Sequence, residues 1–414
     1  MGIKIYDWIK NEFALLRGNL LVLILSTSIL RFGGSLIAPF TSIYFRELGA
    51  SPSIIGLLGS MGSAVTLLVK IPGGFIADKY GRRKLIVTLT YVHIVASAFY
   101  AFAPSWKYIA IGIIISRLLD VYNPALTAIF ADSIPPEKRG AGYALRSMIT
   151  GIVAVFAPTA GGLLIEEYDF VPGVRTAYCI VILLYLLAGM IRQFGLTETL
   201  ENSKKIEFRE IFASFKDSFL TIKDTWNKTP LGVKPIILQS VLGGFSWTLF
   251  YPFMGLYALD NIGMNTLQWG QLGTVELLLG LVTIYPLGKY IDRTSKKRAY
   301  VICYLMWVPT LILFLYSGSF EHLILFFLFK VVGDGLGGLA HQGLIADLVP
   351  RDLRGRTNAL MSTLSSIGSI PAGLISGRLY ETFPMYPFLL SLGLDILSGI
   401  IFVLYLKEPE VIEI

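Results

Sequence analysis

Apolar runs long enough to cross a bilayer alternate with short polar intervals along almost the whole chain. A spanning helix needs about 20 mostly apolar residues, because the hydrocarbon layer is roughly 30 Å thick and each helical residue rises 1.5 Å. Twelve runs meet this requirement, at approximately 20–44, 53–77, 85–103, 108–131, 142–165, 174–195, 234–258, 267–288, 299–317, 321–346, 357–378 and 386–406. The pattern predicts an all-α membrane protein with twelve transmembrane helices.

The polar intervals repeat. GGFIADKYGRRK (Gly73 to Lys84) follows the second run, and LGKYIDRTSKKR (Leu287 to Arg298) follows the eighth. Aligning Asp78 with Asp292 gives an offset of 214 residues (292 − 78), which also places Pro72 on Pro286 and Gly74 on Gly288. A second landmark keeps nearly the same register: Ile129 to Leu145 matches Leu344 to Leu360, with Asp132 over Asp347 and Arg139 over Arg354. Two landmarks in one register indicate a duplicated six-helix unit. The predicted organisation is a bundle over 1–196, a linker over 197–233 and a second bundle over 234–414, the two being pseudo-symmetric. In the linker, Phe208, Ile211, Phe212, Phe215, Phe219 and Ile222 recur at helical spacing beside Lys204, Lys205, Arg209, Lys216 and Lys223. That is the pattern of an amphipathic helix lying on a lipid surface.

Composition agrees with this reading. The 414 residues are 54% hydrophobic and 15% charged, with a mean hydropathy of +0.66, which suits the lipid bilayer rather than water. The net charge of +7 does not form a nucleic-acid patch. Its lysines and arginines punctuate the apolar runs, and nearly all fall in alternate connections, leaving Arg46, Lys107, Arg175 and Arg378 on the other side. Because Lys and Arg resist translocation, this places both termini in the cytoplasm and the chain in the cytoplasmic membrane. The polar, amphipathic start shows no cleavable signal. Cys179 and Cys303 lie inside apolar runs and offer neither a disulfide framework nor a metal cluster. No metal, cofactor or nucleic acid is expected. With no nucleophile constellation or phosphate loop, neither is an enzyme.

Twelve helices in two repeated sixes, with Gly74, Asp78, Gly81, Arg82 and Arg83 in the loop between helices two and three, resemble the major facilitator superfamily of secondary transporters. The degenerate copy at Gly288, Asp292, Lys296 and Lys297 lands where that family carries its second copy. The resemblance implies two bundles around a midplane cavity, alternating access, a small-molecule solute as partner and a monomer. It also implies a cytoplasmic gate, to which Gly74, Asp78, Gly81, Arg82, Arg83, Asp132, Arg139, Asp292 and Asp347 are assigned. Gly74 is expected to let helix two approach a neighbour closely. VFAPTAGGLL in helix five, with Ala157, Pro158, Gly161 and Gly162, is similar to a signature of the family's exchangers, and IPAGLISG with Pro371 and Gly373 is its relative in helix eleven. A small-residue packing face accounts for the same letters.

A charge at bilayer depth costs at least about 2.5–3.5 kcal/mol, so each one calls for a partner or a task. Mid-helix charges occur at Arg31, Arg117, Asp120, Glu276, Lys330, Asp334 and Asp395, whereas Lys70, Arg146 and Arg192 sit nearer the inner ends, in reach of water by snorkelling. Asp120 and Asp334 are one repeat apart (334 − 120 = 214), and Arg117 and Lys330 lie three and four residues before them on the same faces. Each pair either neutralises itself or carries protons. Asp120, Asp334 and Glu276 are the proton-coupling candidates, with Glu276 the least satisfied because its own helix offers no cation within four residues. Arg31 suits a solute's anionic group or an ion pair with Asp120 or Glu276. His341, seven residues after Asp334, is a candidate relay. Trp247 and Tyr251 form a wall facing either solute or lipid. The expected function is proton-coupled export of amphiphilic solutes by antiport, with uptake of a small organic anion by symport as the alternative and a non-transporting sensor as a third reading.

Overall fold

The computed structural model describes residues 16–79, 81–200, 224–350 and 353–406, apart from the side chains of residues 71, 72 and 78. Twelve helices among the described residues are long and apolar enough to cross a membrane. They are α1 (Gly18–Glu47), α2 (Pro52–Lys79), α3 (Arg82–Ala101), α4 (Trp106–Asp132), α5 (Pro136–Tyr168) and α6 (Phe170–Gly195), then α7 (Leu231–Asp260), α8 (Thr266–Arg293), α9 (Lys296–Leu315), α10 (Phe320–Leu348), α11 (Arg354–Thr382) and α12 (Tyr386–Tyr405). Each coincides with one of the runs read from the hydropathy pattern, the runs at 85–103, 299–317 and 386–406 extending one or two residues past the helix end. The amphipathic linker segment, Phe208 to Ile222, lies outside the described residues.

Several spans are broken where proline removes an amide donor and its ring clashes with the preceding turn. α1 tightens into a 3-10 turn at Ala38–Phe40 and α7 at Tyr251–Phe253, with Pro39 and Pro252 at nearly equivalent repeat positions (252 − 39 = 213). α4 tightens at Asp120–Tyr122, just ahead of Pro124. α5 breaks before Pro158. Mid-span breaks leave backbone groups unpaired at membrane depth, which is tolerated only where protein or water satisfies them.

Contacts divide the chain into two compact units, Met1–Ala38 with Leu68–Phe215 and Pro39–Leu67 with Lys216–Ile414. The segment Pro39–Leu67 thus groups with the second unit although its sequence neighbours belong to the first. In the first unit α1 packs on α5 and α6, α3 on α4 and α6; in the second α7 packs on α11 and α12, α9 on α10 and α12. The same neighbours recur one repeat later, so the duplication seen in the loops extends to the packing. Each unit has its own apolar core, around Leu20, Ile86, Ile129 and Phe130 in the first and Ile236, Tyr300, Leu344 and Phe402 in the second.

The two repeat copies begin their third helix differently. Gly81, at the start of α3, has φ 82° and ψ 108°, a region that L side chains rarely enter. Its counterpart Ser295, at φ −57°, starts α9 by accepting a hydrogen bond from the Arg298 amide at 3.2 Å. Gly81→Ala is therefore expected to cost about 1–3 kcal/mol, read as a lower unfolding temperature of purified protein, and an unchanged melt would refute the strain.

Candidate functional site

In the second unit, α10 carries Lys330 toward α8. The Lys330 Nζ donates to Glu276 Oε1 at 2.7 Å and to Asp334 Oδ2 at 2.9 Å. Lys330 is buried, at 3% exposure, while the side chains of Glu276 and Asp334 are 33% and 45% exposed. One ammonium thus bridges two carboxylates that face more open space. Glu276, whose own helix offers no cation within four residues, takes one from α10, a neighbour that spacing along α8 alone does not reveal. The Lys330 ammonium also lies 5.3 Å from the ring centre of Trp247, and Trp247 stacks on Tyr251 at 4.4 Å. Trp247 therefore turns toward the charged cluster. His341 meets the ring of Tyr300 at 6.4 Å, and among the described residues no hydrogen bond joins it to Asp334.

A third acid lies nearby, in α12. Asp395, 8% exposed, accepts from Trp307 Nε1–H at 2.8 Å and from the Ser391 hydroxyl at 3.4 Å. Ser391 in turn shares a hydrogen bond with Ser246 of α7 at 2.7 Å. Among the described residues, no cation reaches Asp395 within ion-pair distance. Asp395 and Asp334 both line an open-mouthed cavity of about 150 Å³ between α7, α9, α10 and α12. The sequence marks Asp395 as a mid-helix charge, but Trp307 and Tyr304 gave no signal: an aromatic residue inside an apolar run looks the same whether it faces lipid or a carboxylate.

The first unit carries the opposite balance. Arg117 Nη1 lies 3.6 Å from Asp120 Oδ2, and Asn123 Nδ2 donates to Asp120 Oδ1 at 3.2 Å. Arg31 is exposed, and within its own unit no ion pair forms between it and Asp120 among the described residues. Arg192 does not snorkel as expected. It is 1% exposed, donating Nε to Ser26 Oγ at 3.0 Å and Nη1 to Thr90 Oγ1 at 2.7 Å, with Tyr122 beneath the guanidinium at 5.9 Å. A planar fork with several donors suits a site that offers hydroxyls on two helices.

The loop motifs carry a repeated ion pair. Arg82 binds the Asp132 carboxylate and also donates to Thr199 Oγ1 at 3.2 Å; one repeat later, Lys296 binds the Asp347 carboxylate. Glu198, which the sequence reading missed, accepts the amides of Arg82 and Arg83 at 3.2 and 2.9 Å. It places a carboxylate on the free amides that open α3. Arg83 Nη2 donates to the Gln193 carbonyl at 2.6 Å. Arg139 and Asp292 are exposed, and the Asp78 side chain lies outside the described residues. The close approach assigned to Gly74 belongs to Gly73: a Cβ there would sit 3.1 Å from the Val121 carbonyl oxygen, whereas at Gly74 it would meet nothing within 4 Å among the described residues.

The Major Facilitator Superfamily profile matches residues 23–275 and 236–412, so the chain belongs to that family. It is a multi-pass membrane transporter of small solutes, not an enzyme, with the family's two six-helix bundles. It is 22% identical over 394 residues to the quinolone resistance protein NorA of Staphylococcus aureus, covering 94% of this chain and 97% of that one. It is 23% identical over 393 residues to an uncharacterized MFS-type transporter of Methanocaldococcus jannaschii, covering 93% and 97%. The crystal structure of the nucleoside transporter NupG superposes with a TM-score of 0.74 at 13% identity, covering 94% of this chain and all of that one.

Proposed function

We propose that this protein is a proton-coupled exporter in the cytoplasmic membrane, with both termini inside, exchanging protons for small amphiphilic solutes by alternating access of its halves 1–196 and 234–414. The observation that carries this reading is the charge imbalance of the second unit. Lys330 serves Glu276 and Asp334 together, while Asp395 has no cation among the described residues. Three acids facing one fixed cation leave two negative charges for protons or a cationic solute to neutralise, because unpaired charge in a low-dielectric interior is expensive. The likeness to a protein named for quinolone resistance favours export. Arg82 with Asp132 and Lys296 with Asp347 then serve as cytoplasmic gate contacts, flanked by Arg83, Arg139 and Asp78.

Sealed vesicles with an acid lumen and the cytoplasmic face outward test this. A fluorescent quinolone is expected to accumulate and to leave when a protonophore is added. Glu276→Gln with Asp334→Asn is expected to abolish the dependence on the gradient. Absence of gradient-driven accumulation of any solute points to the sensor reading.

Uptake of a small organic anion by symport draws on the first unit, where two mid-helix cations, Arg31 and Arg117, outnumber the one mid-helix acid, Asp120. Arg31→Gln separates the readings. Loss of anion flux with quinolone flux spared supports uptake, and unchanged anion handling counts against it.

A further inference from the structure

We infer that the cavity inside the second unit, floored by Asp395 and walled by Trp247, Trp307 and Tyr304, is a binding subsite for the ammonium end of an organic amine. It deepens the export reading by naming a solute class, and rests on that reading only for the step from binding to transport.

The chemistry of the walls selects the ligand. Asp395 is the more buried of the cavity's two acids, accepting from the indole N–H of Trp307, itself part of the wall, and from the Ser391 hydroxyl. Neutral donors orient a carboxylate without neutralising it, and Lys330 is already committed to two other acids. A second carboxylate, Asp334, lines the same cavity, so an anion is repelled. A hard metal ion would need six or more oxygen ligands; the lining offers two carboxylates among aromatic rings. Aromatic faces attract a weakly hydrated cation through their quadrupoles. Trp247 already does so for the Lys330 ammonium at 5.3 Å, and the ring series continues through Phe250 to Trp307 at 5.5 and 5.8 Å.

Size sharpens the class. A cavity of about 150 Å³ is the volume that holds one benzene, so it takes a head group of one ring or a few methyl groups. The remainder of a larger amphiphile stays outside it.

The test uses the full chain in lipid nanodiscs, with benzyltrimethylammonium and its neutral isostere neopentylbenzene titrated separately by calorimetry. The cation is expected to bind saturably. Asp395→Asn is expected to weaken it at least about tenfold, as loss of a buried charge partner does, while leaving neopentylbenzene within about twofold. Gly243→Leu supplies an arm that leaves the charges alone. Among the described residues a Cβ at Gly243 would meet only Gln239 Nε2, at 3.3 Å, so the longer side chain fills the cavity and both ligands are expected to be lost. If Asp395→Asn fails to fold, Gly243→Leu and the cation-to-isostere comparison still decide. Equal affinity for cation and isostere, or cation binding indifferent to Asp395→Asn or to Gly243→Leu, overturns the proposal. Binding as expected without flux in sealed vesicles leaves the subsite standing and removes the transport reading; quinolone flux without amine binding does the reverse.

Discussion

Lys330→Met is expected to abolish transport and to lower the unfolding temperature sharply. The same substitution combined with Glu276→Gln and Asp334→Asn is expected to recover the stability without recovering proton-driven flux. The single change leaves two carboxylates facing each other across the space that one ammonium filled, with Oε1 and Oδ2 each losing a hydrogen bond below 3 Å. Removing one partner of a buried pair costs roughly 3–5 kcal/mol. Because the two acids are 33% and 45% exposed, water screens part of this and the lower end, about 3 kcal/mol, applies. The triple variant replaces charges by near-isosteric neutral groups. It removes the desolvation penalty together with the attraction, and such replacements are often neutral or stabilising. Unfolding of detergent-purified protein followed by tryptophan fluorescence gives the first readout and vesicle flux under a pH gradient the second. A single variant as stable as the parent would show that the bridge holds nothing together. A triple variant with intact gradient-driven accumulation would remove Glu276 and Asp334 from the coupling path.

The parts of this molecule legible in its sequence are those governed by local rules. Bilayer thickness sets run length, so the twelve spans stood out. Duplication preserved the loop motifs, so Asp132 and Asp347 were recognised as equivalents and the structure gives each a basic partner one repeat apart, Arg82 and Lys296. Arg117 with Asp120 and Lys330 with Asp334 were visible because three and four residues return a helix to the same face. What escaped depends on helix rotation and on neighbours distant in the chain. Glu276 looked isolated because Lys330 lies 54 residues away. Arg192 looked like a snorkelling residue because depth along a helix says nothing about which face it occupies, and its hydroxyl partners lie 166 and 102 residues away. Glu198 sits just past the end of α6, and only the fold brings it to the start of α3. Asp395 with Trp307 is the clearest case, since neither letter identifies the other until α9 and α12 pack together.

Gly373→Leu is expected to reduce flux at least about tenfold while leaving the protein folded. Within the second unit the start of α2 lies almost backbone to backbone on α11. A Cβ on Gly373 would come within 2.7 Å of the Gly56 carbonyl oxygen and 3.1 Å of the Ser60 amide nitrogen, and one on Gly377 within 2.7 Å of the Ser53 Cα. The approach is locked by polar contacts: Ser60 Oγ donates to the Ile370 carbonyl at 2.6 Å, and Glu381 accepts from the Ser53 amide at 2.9 Å and its hydroxyl at 2.6 Å. In a membrane, where apolar side chains gain little by leaving lipid, such small-residue contact is what drives helices together. In the proposed cycle, with halves 1–196 and 234–414 moving against each other, this contact forms in one state and parts in another, so its strength sets a population. Overpacking costs about 1–3 kcal/mol, and each 1.4 kcal/mol is about tenfold in an equilibrium. The leucine variant should therefore reside in the parted state. In the proposed orientation this end of α2 faces the outside, so Ser53→Cys in a Cys179→Ser, Cys303→Ala background reports it. Membrane-impermeant maleimide added to intact cells is expected to label the parent slowly and the Gly373→Leu variant at least about tenfold faster, matching the population shift. Unchanged labelling together with unchanged flux would show that the contact merely fills space and that the cycle does not pass through it.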